Sequence, residues 1–220
     1  MDLTALSLRI SESRWSDQEK RLLDGLDTPG NVQGYLDSLP YDPSGGFRSP
    51  RLVMREGKAQ CYSGALFAAA ALRYHGFPPL LVELAAVNDD EHVLAVFKAN
   101  GAWGAVAKSN FTTLRFREPV YRTLRELAMS YFDVYFNTLG EKTLRAYSRP
   151  LDLRRFDGAH WMTSEEVSSP IEDAISRIRH YPLLTQQMAD SLEKVDKHLF
   201  TAGLLGADEA GLFKAHTEPE

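Results

Sequence analysis

The sequence has one cysteine, little excess charge and no long apolar run, and each absence excludes a class of protein. A single cysteine in 220 residues excludes a disulfide framework and any zinc site built from several cysteines. A formal net charge of -5 argues against a nucleic-acid binder that works by bulk positive charge. The longest strongly apolar run, Ala65 to Leu72, is too short to span a bilayer. We therefore expect neither nucleic acid nor membrane among the partners.

Motifs for cofactors are also missing. The sequence contains no phosphate-binding loop, no GxGxxG, no HExxH and no GxSxG, so we expect no cofactor. The run Asp89-Asp90-Glu91-His92 has metal-binding residue types, but consecutive residues of a turn rarely share one ion, and we predict no metal. The amino terminus, MDLTALSLRISESRW, has no basic start followed by a long apolar core. A secretory signal is therefore not visible, and we expect a cytoplasmic protein.

Periodicity and turn residues predict a helix and three strands in the first half of the chain. The stretch from Cys61 to His75 is rich in alanine and apolar on nearly all sides, which predicts a centrally buried helix that ends at Gly76. Strand-like runs follow at 80–87, 92–98 and 103–107. Asn100-Gly101 predicts a two-residue hairpin between the last two runs. An earlier helix is expected over 16–26.

The second half has a helical pattern. Residues 119–137 carry apolar side chains at an i, i+4, i+7 spacing, which predicts a helix. A helix start is expected at 163–166, followed by helical periodicity over 171–178, and a last helix is expected over 185–204. The sequence thus predicts an α+β fold, with the helix–strand core in residues 1–115. Residues 116–220 would form a helical carboxy-terminal extension packed on that core within one structural domain.

Cys61 stands at the first turn of the predicted buried helix, where the helix dipole and free amides stabilise a thiolate. The amide of Cys61 itself would point towards an oxyanion formed at an attacked carbonyl. A cysteine nucleophile also needs a base, and His92 opens the second predicted strand. Gln60 is a candidate second donor to the oxyanion, although capping the helix is the commoner role of such a residue. These positions together predict thiol chemistry on an acyl group.

The segment from Gly57 to Phe111 resembles the transglutaminase-like branch of the papain-like cysteine enzymes. The shared features are a cysteine at the start of a central helix, a strand after the helix, and a histidine that opens a β-hairpin whose second strand carries a tryptophan. The resemblance implies a papain-like core in which the central helix packs on an antiparallel sheet. It also implies Cys61 as nucleophile, His92 as base and Trp103 as the hairpin tryptophan beside the substrate.

The third catalytic residue is the point of departure from the family pattern. Where the family has an acid, this sequence has Ala107-Lys108-Ser109-Asn110. With a two-residue turn at Asn100-Gly101, Ala99 pairs with Ala102, and each further pair lies one residue farther along both strands. Continued to the start of the strand, this register places Ser109 directly across from His92. A bulge would bring Asn110 opposite His92 instead. We therefore expect Ser109 or Asn110 to bond one ring nitrogen of His92 while the other nitrogen faces Cys61.

The favoured function is cleavage of an amide or peptide bond, with a peptide or a small amide as substrate. Hydrolysis is favoured over transfer because nothing identifies a site for an acceptor amine. The alternative is a weakened papain-like domain that binds a peptide or a protein, since the usual acid is missing. A third possibility is acyl transfer from a thioester donor, as in the arylamine N-acetyltransferases, which share the order of cysteine and histidine. No segment marks a coenzyme A site.

Overall fold

The computed structural model describes residues 15–165 and 170–216, which form a mixed α+β fold around an antiparallel sheet. Residues 1–14, which bear on the secretory-signal prediction, lie outside the described residues, as does Glu166 of the predicted helix start. The α-helices are α1 (Asp17–Asp24), α2 (Pro29–Ser38), α3 (Pro50–Glu56), α4 (Cys61–Tyr74), α5 (Leu124–Met129), α6 (Pro170–Ser176), α7 (Gln186–Asp190) and α8 (Lys197–Gly203). The strands are β1 (Leu80–Ala86), β2 (His92–Ala99), β3 (Ala102–Val106), β4 (Arg117–Tyr121), β5 (Leu144–Ser148), β6 (Leu151–Asp152) and β7 (His180–Pro182).

The described residues form a seven-stranded sheet in the order β4-β3-β2-β1-β5-β7, and β6 pairs with β1. The predicted hairpin between β2 and β3 is confirmed. Asn100 and Gly101 both have positive φ, 51° and 81°, as the two central residues of a type I′ hairpin turn require. Ala99 pairs with Ala102, and the same register continues along the ladder to its last pair. The local turn therefore sets the register of the two strands that lead to the site.

Both faces of the sheet are covered, so the central strands are buried on two sides. Alternate residues of β2, beginning at Val93, pack in a cluster with α4, whose residues 65–72 are almost fully buried. The intervening residues, including Leu94, belong to a second cluster with Tyr131 and Tyr135 on the opposite face. The prediction of a centrally buried helix is confirmed. Its first residue, Cys61, lies beside the start of β2, because its sulfur bonds the carbonyl of Glu91, the residue before that strand.

The second half of the chain differs from the predicted helical extension, because β4, β5, β6 and β7 all lie in residues 116–220 and join the sheet. The predicted helix over 119–137 is divided into β4, α5 and a 3-10 turn at Phe132–Val134. Val120, part of the apparent helical stripe, is 67% exposed. Pro119 is tolerated in β4 because this is an edge strand that needs fewer ladder donors. The edge pairing with β3 overrides the local helical period.

The predicted last helix over 185–204 is also divided. It consists of α7 and α8, separated by a non-helical segment. The carboxylate of Asp196 accepts hydrogen bonds from the amides of His198 and Leu199, so it caps a new helix rather than continuing the old one. Within residues 15–165 and 170–216, no helix has the length and apolarity needed to cross a bilayer.

Candidate active site

Cys61 is the first residue of α4, and its neighbours fix the start of that helix. The amide of Tyr62 donates to the side-chain oxygen of Gln60 at 2.7 Å, and the amide of Gln60 donates to the hydroxyl of Ser63 at 3.1 Å. These two bonds form a capping box, so Gln60 serves as the helix cap. Gln60 and Cys61 also line one outer groove, and the Gln60 side-chain amide donates to the carbonyl of Gly46 at 3.5 Å. The cap holds Cys61 in one orientation at the helix end.

The thiol of Cys61 is half-buried and neutral in this structure. Burial raises the pKa of the thiol to about 12, and the nearby carboxylate of Asp90 raises it further. Backbone amides of Val93, Tyr62 and Cys61 oppose this effect, because N–H donors stabilise the thiolate. The sulfur donates its hydrogen to the carbonyl of Glu91 at 3.8 Å. The donors needed for a thiolate are therefore in place, but desolvation outweighs them.

His92 is buried, and a main-chain carbonyl orients its ring. Nε2 lies 2.8 Å from the carbonyl oxygen of Leu114, and a carbonyl only accepts, so Nε2 carries the hydrogen and Nδ1 is the free basic nitrogen. Burial lowers the pKa of His92 to about 4, and Arg117 adds to this effect, while the Leu114 carbonyl opposes it. The ring also contacts Tyr135 edge-on, with 6.4 Å between ring centroids. His92 is thus a neutral imidazole of defined tautomer.

Cys61 and His92 line the same small cavity, of about 50 Å³. They approach it differently: Cys61 packs with the cluster on the α4 face of the sheet, whereas His92 shares the opposite face with Leu94. Within the part of the chain that the structure describes, no hydrogen bond joins the Cys61 sulfur to the His92 ring. The two predicted catalytic residues are brought to one cleft, but each has a main-chain carbonyl as its hydrogen-bond partner.

Ser109 and Asn110 line this cavity, but neither forms the predicted hydrogen bond with His92. The Ser109 hydroxyl accepts from the amide of Phe111 at 3.0 Å. The Asn110 side chain accepts from the amide of Asp208 at 2.8 Å and donates to its carbonyl at 2.9 Å. The Leu114 carbonyl, instead of either side chain, bonds a ring nitrogen of His92. Both side chains therefore belong to the cleft, with partners other than the imidazole.

The β2–β3 ladder stops before it reaches Ser109. Its last pair is Ala95 with Val106, and the main chain of Ala107 instead bonds the side chain of Gln33 at 2.9 and 3.0 Å. The ammonium of Lys108 then donates to two carbonyls at the end of α2. The chain is thereby drawn away from β2 towards α2. This diversion is the physical reason why the register that holds near the turn does not extend to His92.

Trp103 does not line the cleft. It lies near the turn of the hairpin, paired with Lys98, whereas His92 begins β2 at the other end of the strand. The ammonium of Lys98 sits 5.0 Å from the centre of the Trp103 ring, and this cation–π contact accounts for the position of the side chain. The predicted role of Trp103 beside a substrate is therefore not supported by its location.

Three consecutive acidic residues, Asp89, Asp90 and Glu91, line the cavity that contains the thiol. Burial raises the pKa of Asp89 to about 6, while the Thr143 hydroxyl donates to it at 2.7 Å. Burial also raises the pKa of Asp90, and the charge of Glu91 adds to this effect. Among the described residues, no group of histidine, cysteine and carboxylate side chains has the arrangement of a metal site. Of these acids, Asp90 acts on Cys61 through its charge, which raises the pKa of the thiol and favours its neutral form.

Several residues of the cleft carry no signal that the sequence reasoning used. The carbonyl of Leu114 orients His92 although it is a main-chain group, and Tyr41 lines the cleft from a loop before α3. Gly211 and Phe213 line the same cavity from a segment that is distant along the chain. Only tertiary packing brings these residues to Cys61.

No known family model matches this chain, and a comparison with curated proteins finds no match either.

Proposed function

We propose that this protein is a cysteine-dependent hydrolase of amide or peptide bonds, built on a papain-like core of the transglutaminase-like type. The observation that carries the proposal is the placement of Cys61 at the first residue of a buried helix, on a cleft that it shares with His92. Three backbone amides lie close enough to the sulfur to stabilise a thiolate. A free thiol nucleophile fits the reducing conditions of the cytoplasm, where we expect the protein to act.

The proposed reaction uses groups that are present in the cleft. Nδ1 of His92 accepts the thiol proton, and the sulfur forms a bond to the substrate carbonyl carbon. The amide of Cys61 donates to the resulting oxyanion. The C–N bond then breaks, and the leaving amine takes the proton from His92. Water attacks the thioester, releases a carboxylic acid and returns the proton to the sulfur, while the Leu114 carbonyl holds the imidazole by its Nε2 hydrogen.

A second function, peptide or protein binding without turnover, is favoured by the electrostatics of the described conformation. Burial raises the pKa of Cys61 and lowers that of His92, so proton transfer between them is unfavourable as they stand. The resemblance to transglutaminase-like enzymes also lacks an acid to stabilise imidazolium. Catalysis therefore requires a rearrangement that hydrates the thiol or brings the imidazole to it, whereas binding requires neither.

Alkylation of Cys61 distinguishes the two functions. We expect iodoacetamide to modify Cys61, and the His92→Ala variant to react at least about tenfold more slowly at pH 7, because the base that generates the thiolate is lost. His75→Ala is the matched control, because Nε2 of His75 also bonds a carbonyl, that of Leu23, at 2.8 Å near the far end of α4. An alkylation rate that follows an ordinary thiol titration and is the same in both variants would support the binding function.

A further inference from the structure

A segment near the end of the described chain crosses the mouth of the cleft. We call residues 205–216, which follow α8, the strap. Gly211 and Phe213 of the strap line the inner cavity together with Cys61 and His92. Gly211 and Leu212 also line the outer groove beside Cys61. The strap therefore forms part of the wall of both the inner cavity and the outer groove.

Two asparagines outside the strap hold its main chain. Asn110 bonds both the amide and the carbonyl of Asp208, at 2.8 and 2.9 Å. Asn88 does the same to His216, at 2.8 Å to its amide and 2.9 Å to its carbonyl. The Thr138 hydroxyl donates to the carbonyl of Phe213 between these points. A carboxamide that pairs with both main-chain groups of one residue imitates a neighbouring strand, so it recognises a peptide backbone whatever its side chains.

The contact between Gly211 and Tyr41 adds a requirement on sequence. A Cβ atom at position 211 would lie 2.6 Å from one ring carbon of Tyr41 and 2.8 Å from another. The next contact, with the Asn110 amide nitrogen at 3.2 Å, is also tight. Tyr41, Cys61 and Gly211 all line both the inner cavity and the outer groove. Position 211 in this wall therefore accepts glycine and excludes a larger residue.

The strap leaves too little room for another peptide in the inner cavity. The inner cavity measures about 50 Å³, which has space for a few water-sized molecules at most. The outer groove, of about 360 Å³, is lined partly by the strap itself. A peptide that enters the inner cavity, between Cys61 and His92, must therefore displace the strap and take over its contacts.

We infer that the strap occupies the cleft as an intramolecular peptide ligand, and that the external ligand is a peptide whose main chain is held by Asn110 and Asn88 with a glycine against Tyr41. This inference rests on the proposed function, since it names the substrate class of the same cleft. It also gives Asn110 a role as a main-chain clamp instead of a partner of the imidazole.

The first test removes the strap from the cleft in the full chain. In Gly211→Val, the new side chain collides with Tyr41, so we expect the strap to detach and Cys61 to become hydrated. A fall of about one in the pKa of the thiol would raise its alkylation rate by iodoacetamide about tenfold. Gly158→Val is the matched control, because residue 158 is exposed, lies outside the strap, and a Cβ atom there would meet no other atom within 4 Å, so its rate should stay within about twofold of the original. Equal rates in Gly211→Val and the original protein would overturn the inference.

The second test supplies the strap as a separate molecule. A synthetic peptide of residues 206–216, GADEAGLFKAH, is added at millimolar concentration to the Gly211→Val protein. We expect this peptide to slow alkylation of Cys61 towards the original rate, and the same peptide with valine at position 211 to have no effect. Equal protection by both peptides, or by neither, would overturn the glycine-directed recognition that the inference requires.

The readouts separate this inference from the proposed hydrolysis. Protection by the glycine peptide without its cleavage supports the strap as a ligand and supports the binding function against catalysis. Cleavage of the peptide, detected by mass spectrometry and lost in His92→Ala, supports both proposals. An alkylation rate that depends on His92 but not on Gly211→Val overturns the inference about the strap and leaves the proposed hydrolase function standing.

Discussion

Lys108 allows a quantitative test of how the cleft segment is held. The residue is only 3% exposed, and its ammonium donates to the carbonyls of Leu36 at 2.8 Å and Leu39 at 2.5 Å. Burial lowers the pKa of Lys108 from 10.5 to about 8, and the nearby charge of Arg115 adds to the effect. Removing this ammonium should therefore change the pH dependence of folding stability.

The sign follows from proton binding in the two states. Below pH 8 both states hold the proton, but the folded protein holds it less tightly, which destabilises the folded state by about 3 kcal/mol relative to a neutral lysine. Between pH 8 and 10.5 the unfolded chain binds more protons than the folded protein, so the free energy of unfolding rises with pH. By pH 10, we expect Lys108 to have contributed an increase of about 2 kcal/mol over its value at pH 7.5.

The measurement compares urea denaturation of the original protein and Lys108→Met at several pH values from 7.5 to 10. Ionisation of tyrosines is common to both proteins and cancels in the difference between them. We expect the free energy of unfolding of the original protein, relative to the variant, to increase by about 2 kcal/mol over this range. A difference that stays constant with pH, or decreases, would refute the assignment of a buried lysine with a lowered pKa.

Three further substitutions test the packing and the site. Gly104→Ala should lower the free energy of unfolding by about 1–3 kcal/mol, because the new Cβ would lie 2.5 Å from the Phe97 ring; an unchanged urea midpoint would contradict this. Asp157→Ala should cost about 3–5 kcal/mol by the same measurement, since it removes the bidentate partner of the buried Arg73 guanidinium. Cys61→Ser should change stability by less than about 1 kcal/mol, because the hydroxyl can replace the half-buried thiol, yet it should abolish hydrolysis. A large fall in the melting temperature of that variant would indicate a structural cysteine.

The parts of the fold that local chemistry determines could be predicted from the sequence. Asn100-Gly101 selects its own turn, and that turn sets the pairing of β2 with β3. The alanine-rich stretch from Cys61 forms the buried helix for similarly local reasons. The second half could not be predicted in this way, because β5 exists through pairing with β1, which is distant along the chain, and β4 exists through pairing with β3 rather than through its own residue pattern. A helical period in an edge strand such as β4 carries no information about that pairing.

The candidate site, like the fold, could be predicted only in part. The order of Cys61 and His92 was sufficient to place both residues on one cleft. The partner of the imidazole could not be predicted, because Gln33 takes the main-chain bonds of Ala107 and ends the ladder before Ser109. A side chain in α2 therefore decides which group meets His92. Such a contact leaves no pattern in the spacing of the hairpin.

The short connection between α8 and the strap has a kinetic and thermodynamic consequence. Only a few residues separate Gly203, the end of α8, from Asp208, the first point that an asparagine holds. A segment tethered so closely is present at its site at an effective concentration of the order of millimolar. Weak contacts are then sufficient to keep the cleft closed. A free peptide with the same contacts would need to reach a similar concentration, or gain additional contacts in the outer groove, before it could replace the strap.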